Sequence, residues 1–252
     1  MSIPTAVFSW SGGKDSAYCL HKVLSQKSFE TKYLLTTVNE DFKRISMHGV
    51  REELLDKQAE AINIPLLKIY VSEGTNQEYE QKMEEVLLKV RSEGIEYVIF
   101  GDIFLEDLRK YRENNVNKLG MKAVFPLWKM DTKNLLADFI SQQFKSILCC
   151  TNHAYLGKEW VTREINESFA EELPAGVDAC GENGEYHTFC FDGPLFHKKI
   201  EFSVGEKVYK PLDIKTTGDT KSQVTTNGFW FCDLLPSGIK MDKEITENTA
   251  LT

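Results

Sequence analysis

At 252 residues the chain can bury the core of one large domain or two modest ones, and 42% hydrophobic with 27% charged residues is the balance of an ordinary folded protein, which excludes wholesale disorder. A formal net charge of −8 argues against a broad nucleic-acid-binding face, because phosphate backbones are held by clustered Lys and Arg. The start, Met1 to Thr5, lacks the basic and apolar regions of a secretory leader, and no apolar run is long enough to cross a bilayer, so the expectation is a cytoplasmic protein with no membrane partner.

Over residues 1–155 short apolar runs alternate with helical periods, the pattern of an α/β domain whose parallel sheet carries helices on both faces. The expected strands are Ala6 to Phe8, Tyr33 to Val38, Leu66 to Tyr70, Tyr97 to Phe100 and Ile147 to Cys150. Between them, Ala17, Leu20 and Leu24 mark one helix, and Tyr79, Met83, Val86, Leu87 and Val90 form the apolar face of another. A further helix carries Leu135, Leu136, Phe139 and Ile140, with Asp131 or Thr132 as its cap. Residues 156–235 read as a smaller α+β domain: a short helix ending near Pro174, a glycine-rich loop, then β-like segments at Tyr186 to Phe191 and Gly228 to Cys232. The polar residues 236–252 read as a disordered tail. Cys19, Cys149, Cys150, Cys180, Cys190 and Cys232 contain no C-x-x-C pair, so buried thiols are expected rather than a zinc ribbon or redox dithiol.

The stretch Phe8 to Ser16 lies directly after the first strand and opens the first helix. Successive glycines, Gly12 and Gly13, let several backbone N–H groups converge, and the helix that follows offers its first-turn N–H groups and positive dipole end to the same spot. That combination is a phosphate cradle. Ser9, Ser11 and Ser16 add hydroxyl donors, Lys14 supplies charge, and Asp15 is the carboxylate suited to Mg2+. Lys follows the glycines with Asp after it, so the spacing is neither the G-x-x-x-x-G-K-[ST] form nor G-x-G-x-x-G, and kinase, GTPase and dinucleotide readings drop out.

Ser11 to Ser16 resembles the Ser-Gly-Gly-x-Asp-Ser hallmark of the PP-loop ATP pyrophosphatases, which implies a HUP-like, Rossmann-type sheet and cleavage of ATP to AMP and pyrophosphate. Gly101-Asp102-Ile103, Pro126-Leu127-Trp128, Gly181 to Phe189 and Asp192 to Phe196 extend the likeness, so that from residue 5 to about residue 200 the chain is similar to the diphthine–ammonia ligase family. That resemblance implies a ligase that uses ATP and Mg2+ to activate a carboxylate acceptor on elongation factor 2, with ammonia as nitrogen donor. Asn183-Gly184-Glu185 and His187 depart from the Gly-Gly-Glu and acidic residue of the diphthamide-making members. Bacterial relatives with Asn and His there are linked to cobalamin salvage, so the acceptor stays open between the two. A tRNA-modifying enzyme, which brings a basic accessory domain or paired cysteines, and a non-catalytic ATP- or AMP-binding module are the remaining alternatives; the oligomeric state, a homodimer included, is open.

The other site candidates follow from position. Asp102, beside Gly101 at the C-terminal end of an expected strand, lies where open α/β sheets bind ligands. His48, after the second strand, borders the same region. Arg109 and Arg112, in a helix interleaved with acidic residues, are candidates for the phosphate or the acceptor. Glu182, Asn183, Glu185 and His187 form the expected acceptor segment, with strand alternation placing Glu185 and His187 on one face. The catalytic set expected is Lys14, Asp15, Glu185 and His187.

Overall fold

The structure, a computed structural model, describes residues 3–45, 48–72, 76–211 and 228–237. Thr5–Ser9 (β1) runs directly into the loop that opens Lys14–Ser25 (α1); Glu30–Asn39 (β2), Arg44–Ile45 (β3), Glu52–Ile62 (α2) and Leu66–Val71 (β4) follow. Asn76–Ser92 (α3), Tyr97–Ile99 (β5), Glu106–Lys118 (α4), Lys122–Val124 (β6) and Thr132–Ser141 (α5) complete the first half. β1 lies between β2 and β5, β6 pairs with β5, and β4 pairs with β2, all parallel; β3 adds a short antiparallel piece to the end of β2.

Ala6, Val7 and Phe8 are wholly buried because helices cover both faces of the sheet, which removes the polar-apolar alternation of a one-sided strand. Ala6 and Phe8 pack on one side with Leu20 of α1, Leu54 and Leu55 of α2 and Phe139 of α5. Val7 packs on the other with Leu87 and Val90 of α3 and Val116 of α4. Helix boundaries have local causes: Asn63 ends α2 in the left-handed region at φ 61°, and the Asp131 carboxylate caps α5 by accepting from the Asn134 N–H at 2.9 Å.

The second half is an antiparallel sheet. Lys145–Asn152 (β7), the short helix Glu167–Glu172 (α6), Tyr186–Asp192 (β8), Phe202–Pro211 (β9) and Gly228–Pro236 (β10) give the strand order β8-β7-β10-β9. This corrects the place of Ile147 to Cys150: the strand exists but pairs antiparallel with β8 and β10 instead of extending the parallel sheet. Its residues from Ser146 to Thr151 are all buried, so the apolar run carries no sign of which partner it takes. β3, β6 and β9 were not expected. Two are too short to show a period, and β9 is half-buried to exposed along its length, with no buried row to mark a face. The tail read as disordered lies outside the described residues beyond 237. Among the described residues no helix is long and apolar enough to cross a membrane.

Candidate active site

The strand β1 ends against a loop whose backbone is held from below. Gly12 has φ 76°, a conformation disfavoured for other residues, and a Cβ there would meet Gln58 Oε1 at 2.7 Å. Gly13 has an ordinary φ of −86° and serves close approach instead: a Cβ would lie 3.1 Å from both the His48 ring and the Thr188 carbonyl. The Cys190 N–H donates to the Gly12 carbonyl at 2.8 Å and the Lys14 N–H to Thr188 Oγ1 at 3.0 Å, so β8 of the second sheet is bonded directly to the loop. Ser16 Oγ donates to the Gly13 carbonyl at 3.0 Å and lies 3.1 Å from Ser11 Oγ. These bonds fix the hydroxyls at the mouth of α1.

A cleft of about 990 Å³ opens above this loop. It gathers Ser9, Ser11, Gly13, Lys14, Asp15 and Ser16 with His48, Gly101, Asp102, Arg112, Glu182, Asn183 and His187. Gly12, Arg109 and Glu185 are outside the lining. Gly12 instead turns its carbonyl down onto Gln58 and Cys190. The Arg109 guanidinium sits over the rings of Phe125 and Trp128 and pairs with Glu113 at 2.8 Å. Glu185 is buried just before β8, where its carboxylate accepts from the Asp178 and Asn183 N–H groups and from Asn183 Nδ2. It organises the 178–185 loop from within.

The charges in the cleft are shaped by their neighbours. Lys14 is buried; desolvation alone would lower its pKa, but Asp15 outweighs that and holds the ammonium charged. Both Asp15 oxygens accept from Lys14 Nζ at 2.7 Å, and the Cys180 carbonyl accepts as well. Burial raises the Asp102 carboxyl, with Arg112 opposing. Arg112 Nη2 donates to Asp102 Oδ1 at 3.1 Å; Nε lies 2.9 Å from Oδ2 but off-line, which makes that contact an ion pair and leaves Oδ2 without a hydrogen bond. Glu182 Oε1 accepts from the Ile103 N–H at 2.8 Å and burial pushes its carboxyl up to about 7. His48 and His187 stack with ring centroids 4.6 Å apart, and burial pushes them down to about 4 and about 3. The Thr188 carbonyl can only accept, so His48 Nδ1, 3.2 Å away, carries the ring proton. His187 Nε2 has no hydrogen-bond partner.

Several lining residues escaped the sequence reading. Thr36 and Thr37 of β2 and Tyr79 of α3 also line the cleft, and the buried Thr36 Oγ1 has no hydrogen-bond partner. Tyr79 was assigned to the apolar face of its helix, where it also belongs by spacing. Thr188 and Gln58 act through long-range bonds that no local pattern announces.

Comparison with known proteins adds the family. Profiles described as the diphthamide synthase N-terminal and C-terminal domains match residues 4–123 and 131–218. The chain is 28% identical to a diphthine–ammonia ligase of Mus musculus, covering 81% of this chain and 84% of that protein. It is 29% identical, with the same coverages, to one of Homo sapiens. A U34-tRNA thiolase from Methanococcus maripaludis superposes on 57% of this chain and 59% of its own, at 15% identity and a TM-score of 0.35, too low a score to argue from.

Proposed function

This chain belongs to the diphthamide synthase family and is an ATP-dependent, amide-forming ligase; we propose that its acceptor is the carboxylate of a diphthine residue and its nitrogen donor ammonia. The observation that carries this reading is the direct bonding of the glycine loop to β8, which puts a phosphate cradle and the Glu182 to His187 segment into one cleft. The cobalamin-salvage and non-catalytic readings draw no support from relatives that are diphthine–ammonia ligases along four-fifths of this chain. Asn183, the departure from the diphthamide-making pattern, has its side chain and N–H bonded to Glu185, so it serves the loop's shape.

In this reading an acceptor carboxylate oxygen attacks the α-phosphorus of ATP, the bond to the bridging oxygen breaks, and pyrophosphate leaves from the cradle formed by the loop and the positive end of α1. Ammonia then attacks the acyl carbon, AMP departs with the C–O bond, and nitrogen gives up a proton. Glu182, held near about 7, is the cleft carboxylate matched to accept a proton at neutral pH. Glu185, engaged on three N–H donors, positions the loop that presents it. Neutral His187, with Nε2 unengaged, receives a donor from the acceptor side.

Magnesium fits as an ion carried by ATP. It keeps several waters and needs only one or two carboxylates beside phosphate, and among the described residues no group of three or more His, Cys, Asp or Glu is placed to hold a metal alone. Asp15, in the cleft lining at the loop, would hold it, with Asp102 Oδ2, ion-paired with Arg112 but without a hydrogen bond, in the same cleft; the ion would neutralise charge on the departing pyrophosphate. The test is product analysis with ATP, ammonium and a diphthine-bearing protein. AMP, pyrophosphate and a new amide are expected. ADP with orthophosphate would sink the ATP chemistry, and AMP release independent of that protein would sink the acceptor.

A further inference from the structure

Beneath the loop lies a residue that the reaction above leaves unused. Gln58 of α2 has no solvent exposure, and a polar side chain that deep persists when its hydrogen bonds are filled. Its Nε2 donates to the Gly12 carbonyl at 2.9 Å and the Cys190 carbonyl at 2.6 Å, while Oε1 accepts from Trp10 Nε1 at 3.0 Å. One amide thus joins the end of β1, the glycine loop, α2 and the second sheet. The Gly12 carbonyl also accepts the Cys190 N–H at 2.8 Å, so two donors pin it from the same side.

A trans peptide directs its C=O and the following N–H to opposite sides. With the Gly12 carbonyl pinned toward α2 and β8, the Gly13 N–H is set on the opposite side, where it donates at 3.3 Å to Ser11 Oγ, a hydroxyl of the cleft lining that a phosphate oxygen would replace as its acceptor. We propose that Gln58 is a positioning residue for the nucleotide: it fixes the Gly12–Gly13 peptide in its anion-binding orientation and locks that setting to β8, the strand that carries His187 and Thr188. It touches neither ATP nor acceptor. The role rests on the reading of this cleft as the ATP site.

Two near-isosteres separate positioning from mere packing. Gln58→Met fills the volume without donors. Gln58→Glu, facing two carbonyl oxygens, retains its proton well above the ordinary carboxylate range and donates from its O–H to one of them; once ionised it repels both. ATP affinity is measured by calorimetry for wild type and both variants between about pH 5.5 and about pH 8.5, with circular dichroism on each. The Met variant should bind ATP about 10- to 100-fold more weakly at every pH, the loss expected when buried carbonyl and indole groups are orphaned. The Glu variant should approach wild type at the acid end and weaken as pH rises, relative to the Met variant, which shares every other titrating group. Should the Met variant fail to fold, the pH response of the Glu variant against wild type decides. Folded variants binding ATP within about twofold of wild type throughout, or a Glu variant that tracks the Met variant at all pH values, would overturn the role while leaving the ATP site intact. Wild-type protein that binds no ATP would overturn the site first and the role with it.

Discussion

His48 and His187 stand against the glycine loop as neutral rings, and that has a measurable consequence for stability. An imidazole in the unfolded chain titrates near 6.5, whereas burial holds these two at about 4 and about 3. Below 6.5 the unfolded state therefore binds more protons than the folded one, and stability falls as pH drops from 6.5 toward 4. Glu182 works with the opposite sign. Its folded value of about 7 lies above the ordinary 4.5, so between those limits the folded state holds the extra proton and stability falls as pH rises. The two contributions separate by substitution. Urea midpoints measured across pH 4.5 to 8 should show His187→Gln flattening the acid limb, and Glu182→Gln raising the midpoint at pH 8 above wild type while leaving the acid limb in place. An acid limb that survives loss of either imidazole would mean these rings are already protonated or hydrated in the folded state.

At the scale of elements, the loop between β1 and α1 asks different things of its two glycines. Gly12 needs a positive φ and has Gln58 Oε1 where a Cβ would go, while Gly13 has an ordinary backbone and needs only room beside His48 and Thr188. Gly12→Ala should therefore cost about 1 kcal/mol in backbone strain and displace Gln58 as well, whereas Gly13→Ala carries no φ penalty and meets only tight contacts with the His48 ring and the Thr188 carbonyl, which a shift of a few tenths of an ångström relieves. Thermal melts together with ATP titration should rank Gly12→Ala as clearly the worse of the two; equal losses would show that space, not φ, governs both. The cradle was legible because its chemistry is local: serine, glycine and lysine within eight residues at a strand-to-helix junction. The same holds for β1, β2 and β4, whose apolar runs name themselves, and for Asp131 as a cap. β7 was legible as a strand and illegible as to partner, since Ser146 to Thr151 are buried on both faces. Alternation put Glu185 beside His187, yet β8 begins only at Tyr186, and the three N–H donors of the preceding turn claim the Glu185 carboxylate.

For the whole molecule the question is what holds the antiparallel sheet against the parallel one so that both can share a cleft. Backbone bonds from β8 to the glycine loop do part of it, a hydrophobic core shared by the two sheets does more, and an ion cluster linking β10 to Arg44 and Arg51 adds to both. Asp233 of β10 accepts from Arg51 Nε at 2.9 Å and Arg51 Nη2 at 2.7 Å, and pairs with Arg44 of β3 at 2.9 Å. Between them Gly49, at φ 67°, lets the Phe231 ring of β10 come within 2.9 Å of where a Cβ would sit. None of this was legible in the sequence, because the partners are about 180 residues apart and surface arginines carry no address. Burial alone would raise the Asp233 carboxyl, but Arg51 and Arg44 outweigh it and hold it below the ordinary 3.8. The stability it adds is thus present above that value and lost as pH falls through its folded pKa. At neutral pH, Asp233→Asn leaves two half-buried guanidinium groups facing an amide, a loss of about 1–3 kcal/mol once partial solvent screening is allowed for. The melting temperature should fall accordingly. Since β10 also flanks β7, and β7 carries β8, the loosened sheet should bind ATP more weakly although no residue near the phosphate cradle has changed. A variant that melts earlier but binds ATP as wild type does would show that the β8 bonds to Gly12 and Lys14 hold the cleft without help from this cluster.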